Sequence, residues 1–126
     1  SGLDFRVSLS RDMDPVSADG KLLWRVVENL LSNVFKYAMP ASRVYIETSS
    51  DENYGTLSVK NISEHELNIP AEELLERFKR GDEARGGDGS GLGLSIAKSL
   101  TEAMGGRFEI AIDGDLFKVS VTLPKC

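Results

Sequence analysis

Between Leu22 and Tyr37 the chain reads LLWRVVENLLSNVFKY, and no other stretch limits its fold as much. Leu23, Val26, Val27, Leu30, Leu31 and Val34 recur at three- and four-residue intervals, the spacing of a helix with one buried face. Asn29, Asn33 and Tyr37 follow one another four apart and stack along a stripe on the other side, with Lys36 at its edge. Asparagine is a mediocre helix former because its amide competes for backbone hydrogen bonds. On spacing alone, two solvated asparagines on an ordinary amphipathic edge would account for the stripe. The rest of the chain argues that it is a site.

The flanking segments supply a sheet. Leu3 to Leu9 alternates apolar and polar residues with period two and reads as a half-buried strand. Arg11 to Ser17 is a polar connection, Asp19 a candidate N-cap, and Met39-Pro40 a stop for the first helix. Arg43 to Thr48 and Thr56 to Ile62 are strand-like, with turn residues at Asp51 to Gly55. Pro70 opens a second helix through Arg77. A third carries Leu92, Leu94, Ile96, Ala97, Leu100 and Met104, and Gly105-Gly106 should end it in a left-handed cap. Arg107 to Ile112 and Leu116 to Leu123 form a last hairpin through Asp113-Gly114. The mixture predicts an α+β fold, a two-layer α/β sandwich with a mixed sheet of about five strands and three main helices on one face.

With 126 residues, residues 1–126 are expected to form one domain. A chain of this size buries roughly two-thirds of its unfolded surface, enough for a core without staples. Its net charge of -5 argues against general nucleic-acid binding, which needs a basic patch. No run approaches the ~18 apolar residues of a membrane helix. No secretory leader is legible, and Ser1-Gly2 reads as a cloning remnant, so a cytoplasmic location is expected. Cys126 and His65 have no partners that would make a disulfide or a metal site, and the sequon at Asn61 is read as chance.

A second feature bears on chemistry. Lys79 to Gly91 holds five glycines among charges of both signs and reads as a mobile loop by composition. It runs into Gly89-Ser90-Gly91-Leu92-Gly93-Leu94 at the start of the third helix. Glycines let backbone amides approach a ligand closely, and a helix N-terminus presents unpaired N–H groups at the positive end of its dipole. The pair suits a polyphosphate. The pattern is neither the dinucleotide fingerprint nor a P-loop, since the glycine spacing and the Gly-Lys-Ser/Thr element are missing.

Together these segments resemble a known family. The asparagine helix, Phe78-Lys79-Arg80-Gly81-Asp82, the GSGLGLS loop and Gly114 to Phe117 occur in the order of the asparagine, phenylalanine and two glycine-rich boxes. Those boxes mark the catalytic, ATP-binding domain of bacterial sensor histidine kinases, which has the Bergerat fold shared with gyrase B. The resemblance implies that Asn33 ligates the Mg²⁺ bridging the phosphates of ATP and that Asn29 orients a metal-bound water. It gives Lys36 and Arg80 phosphate contacts, sets Tyr37 over the adenine face, and makes Gly89, Gly91, Leu92 and Gly93 the lid end and amide cradle.

One position departs from the family. Its adenine wall reads Asp-x-Gly-x-Gly, and the corresponding stretch here is Asn61-Ile62-Ser63-Glu64-His65. Asn61 is the expected substitute, because an amide oxygen also accepts a hydrogen bond. Lower affinity or altered base selectivity is the hypothesis that follows.

In the hydrolysing branches of the superfamily a glutamate stands where this chain has Asn29. Glu28 is adjacent but about 100° round the helix. Phosphoryl transfer is mostly positioning and charge stabilisation, so a site without its own base still serves an external nucleophile. The resemblance implies a protein histidine kinase whose acceptor lies on a separate dimerisation domain, with a response regulator downstream and the parent protein an inner-membrane sensor. The alternatives are a stand-alone ATPase or anti-sigma serine kinase of the same fold, or a degenerate nucleotide-binding scaffold.

Overall fold

A computed structural model describes residues 2–8, 20–64, 73 and 90–125. In chain order the elements are β1 (Asp4–Ser8), α1 (Gly20–Tyr37), β2 (Arg43–Ser50), β3 (Tyr54–Ile62), α2 (Ser90–Ala103), β4 (Arg107–Asp113) and β5 (Leu116–Pro124). The strands form one sheet ordered β1-β2-β3-β5-β4, parallel only between β1 and β2. The helix expected from Pro70 lies outside the described residues except for Glu73, which is helical.

The period-two pattern of the strands decides which face is covered. Val44, Val59, Phe117, Val119, Val121 and Leu123 are buried on one face of the sheet. Against them pack Val26, Leu30 and Val34 of α1 and Leu94 and Ala97 of α2. The two described helices also pack on each other. This is the α+β, two-layer arrangement the sequence predicts.

The turns are built by identifiable groups. The Asp51 carboxylate accepts hydrogen bonds from the backbone N–H groups of Asn53 and Tyr54, both at 2.8 Å, and closes β2 onto β3. Those bonds, that to Asn53 foremost, hold its carboxyl below the usual carboxylate range. The β4–β5 turn is Gly114-Asp115, one residue later than Asp113-Gly114, because Asp113 still pairs with Leu116. Gly114 takes φ 63°, the left-handed conformation glycine tolerates.

The end of α2 is a Schellman cap. Gly106 N–H donates to Thr101 O at 3.0 Å and Gly105 N–H to Glu102 O at 2.9 Å, with Gly105 at φ 79°. Gly106 has a separate constraint. A Cβ there would lie 2.3 Å from the backbone oxygen of Thr122, so the helix end sits directly on β5.

β1 differs from expectation, since all five of its residues are exposed rather than half-buried. It is an edge strand, and its Phe5 ring meets that of Phe35, with centroids 5.9 Å apart. Arg6 donates to Asp4 at 2.8 Å on the same strand, and that bond holds the Asp4 carboxyl below its ordinary range. Trp24 and Phe35, eleven residues apart and so on one helical stripe, are 62% and 57% exposed on α1.

Candidate functional site

The asparagine stripe of α1 is not opposite the buried face but runs into it. Asn33 is only 3% exposed and sits between Leu30 and Val34 in the interlayer. Asn29 and Tyr37, a turn to either side, are half-buried, while Lys36 and Glu28 are exposed. A helix turns 100° per residue, which separates Glu28 from Asn29 as the sequence predicts.

Asn61 approaches from the sheet. Cross-strand register puts Phe5, Val44, Asn61, Phe117 and Ile112 in one row across all five strands, on the helix-covered face. Asn61 is the single polar member of that row and is 2% exposed. Such burial leaves no room for a glycan, consistent with a chance sequon.

Backbone bonds tie the two asparagines to a common end of the molecule. Ala38 bridges Ser63, Met39 N–H donates to Ile62 O at 2.8 Å, and Glu64 N–H donates to Tyr37 O at 2.9 Å. From that junction Asn33 lies five residues back, about 7.5 Å along the helix. Asn61 lies two residues back, about 6.6 Å along the strand. Both therefore enter the interlayer at a similar depth.

The start of α2 comes to the same end. α1 reverses into β2 and α2 into β4 through short connections, while β4 and β3 both run antiparallel to β5. α1 is then aligned with β3 and α2 opposed to both, which brings Ser90 near the C-terminal end of α1. The first turn of α2 contains Gly91, Leu92 and Gly93. Arg80 and Gly89 lie outside the described residues.

Among the described residues, two buried side-chain oxygens lack a hydrogen-bond partner: Asn33 Oδ1 and Asn61 Oδ1. A buried acceptor left unsatisfied costs about 1–3 kcal/mol. Two such atoms, tied to one junction, mark the place where a ligand would complete the hydrogen bonding. The same residues hold no cluster of three His, Cys, Asp or Glu side chains able to bind a metal. The hard oxygens entering the interlayer here are amides, and Asn33 Oδ1 is suited to Mg²⁺, which takes few protein ligands and keeps several waters. Sequence reasoning identified both asparagines; Ser63, read there only as part of the altered stretch after Asn61, is 7% exposed and bridges Ala38 at the junction.

Comparison with known proteins agrees with this geometry. Residues 18–125 match the family described as histidine kinase-, DNA gyrase B-, and HSP90-like ATPase, so the chain belongs to that family of ATP-binding domains. Within it, the similarity runs to sensor kinases. The chain is 31% identical over 115 residues to the probable sensor kinase SilS of Salmonella typhimurium, across 87% of this chain and 22% of that protein. It is 38% identical over 92 residues to the sensor histidine kinase HprS of Escherichia coli K12, across 72% of this chain and 20% of that protein. The chain thus spans about a fifth of these curated relatives. Among solved structures, the mycobacterial sensor histidine kinase MprB superposes with TM-score 0.72 at 27% identity, over 98% of this chain and 82% of that one. The catalytic domain of histidine kinase ThkA shares the fold, with TM-score 0.76 at 22% identity over 98% of this chain and 80% of that one. Among the described residues, no helix is long and apolar enough to cross a membrane.

Proposed function

We propose that residues 1–126 form a single catalytic domain that binds Mg-ATP and donates the γ-phosphoryl group to a histidine on a separate dimerisation domain. The observation that carries the binding site is the pair of buried, partnerless amide oxygens on Asn33 and Asn61. Asn33 Oδ1 would hold Mg²⁺, with Asn29 positioning one of its waters. Lys36 and Arg80 would neutralise phosphate charge, and Tyr37 would flank the base. Gly89, Gly91, Leu92 and Gly93 would close over the phosphates, where the N–H groups at the start of α2 favour an anion. The metal, when bound, draws charge from the phosphate oxygens.

The chain's own residues then explain why transfer should prevail over hydrolysis. Asn29 offers an amide where a water-activating base would stand, and amides do not ionise at neutral pH. Glu28 is exposed on another side of the helix. What remains is positioning and charge stabilisation, which suffice for phosphoryl transfer to an acceptor brought from outside. That acceptor, a downstream response regulator and a cytoplasmic setting complete the reading.

Calorimetry of the chain with ATP, in Mg²⁺ and then in chelator, tests it. Mg-dependent binding is expected, and Asn33→Ala should abolish the metal dependence. No binding by the wild-type chain, or binding by that variant that still depends on the metal, would sink the assignment.

A further inference from the structure

Asn61 interrupts an otherwise apolar row. Val44 and Phe117 flank it across the strands and Val59 precedes it on the same face, and each of the three is buried. A polyphosphate would not settle on such a surface, because charge transferred to apolar surroundings is costly without partners. A purine would, since its faces are apolar and only its edge needs a polar group, the usual composition of a small-molecule site. With phosphates drawn to the start of α2, the base falls to the sheet, and Asn61 is the polar side chain there that meets its edge.

No described residue hydrogen-bonds the Asn61 side chain, and its Oδ1 is buried without a partner. Nothing among these residues therefore fixes which way the amide faces. An amide carries an acceptor on one arm and two donors on the other. Adenine presents an amino donor at position 6, and guanine presents an oxygen acceptor there. We propose that Asn61 turns its amide to suit either group, so that the site accepts guanine as well as adenine nucleotides. This rests on the nucleotide-site reading above. A carboxylate at the same position accepts only, and so would pair with the adenine amine and repel the guanine oxygen. A site built around one hydrogen-bonding pattern rejects the wrong partner because a buried polar group is left unpaired. A reversible amide removes that rejection.

The test is titration of the whole chain with Mg-ATP and Mg-GTP by calorimetry, repeated with Asn61→Asp. The wild-type chain is expected to bind the two with dissociation constants within about threefold, and Asn61→Asp to shift the ratio towards ATP by about tenfold or more, the size of one base-reading contact. A wild-type preference for ATP above about a hundredfold overturns the proposal, as that exceeds what an indifferent contact permits. So does an unchanged ratio in Asn61→Asp, which would show that the side chain does not face position 6. Should that variant fail to fold, inosine triphosphate on the wild-type chain replaces it. It carries the 6-oxygen without the 2-amino group, and it must bind as GTP does. Binding weakened by more than about tenfold relative to ATP then overturns the proposal. If no purine nucleotide binds at all, the nucleotide site itself fails, a result distinct from selective binding of ATP.

Discussion

Replacing Asn33 with leucine should make the unliganded chain more stable while destroying its site. Asn33 Oδ1 is buried without a partner, and its removal relieves about 1–3 kcal/mol. Leucine is the better helix former by about 0.5 kcal/mol at an interior position of α1. Against this, its greater volume between Leu30 and Val34 costs on the order of 1 kcal/mol. The net gain is about 0.5–2.5 kcal/mol. An unfolding entropy of ~2.1 cal/mol/K per residue gives about 0.26 kcal/mol/K over 126 residues, so Tm should rise by about 2–10 °C. Thermal unfolding followed by circular dichroism without nucleotide measures it. Adding Mg-ATP at about a hundred times its dissociation constant should then stabilise the wild-type chain by a further ~2.7 kcal/mol. The variant should gain nothing. A variant that melts several degrees below wild type would refute the reasoning, since the amide would then be structurally satisfied and not held for a ligand.

Other outcomes follow from the turns. Gly106→Ala forces a Cβ to within 2.3 Å of Thr122 O and should cost about 3 kcal/mol or more, read as a fall in Tm above about 10 °C. Ala41 sits at φ 63°, so Ala41→Gly should stabilise by about 0.5–1 kcal/mol after glycine's own entropy cost, visible as a higher denaturation midpoint in urea. Asp51 has a folded pKa below its unfolded one. The stability it adds is therefore present above the unfolded value and lost as pH falls through the folded value. Asp51→Ala should accordingly lower Tm at pH 7, and the gap to wild type should close as the pH drops below about 4, in scans across that range.

Much of the fold was legible because local signals agreed. The apolar period of α1, the alternation of β3 and β5 and the Gly105-Gly106 pair each specify one geometry, and each element formed within about two residues of expectation. Where reading failed, the cause was tertiary. The alternation of Leu3 to Leu9 gives no hint that β1 lies at an edge, where both faces stay open. The turn dipeptide Asp113-Gly114 was displaced because strand pairing carries Asp113 into the ladder. Spacing placed Asn29, Asn33 and Tyr37 on a line but opposite the core, since a helix pattern does not say how wide the covering layer is. Asn61 was identified through family resemblance. Its place as the lone polar member of a five-strand row became visible only when register fixed its neighbours.

The joint where Ala38 and Tyr37 meet Ser63 and Glu64 has a consequence for how this chain tolerates change. Because backbone hydrogen bonds, in addition to packing, clamp the helix to the strand there, the span between the two amides behaves as a fixed gauge. Substitutions elsewhere in the core that merely loosen packing should erode melting temperature well before they alter that gauge. Affinity and sturdiness can therefore drift apart in this domain, and a weakened variant need not be a poor binder.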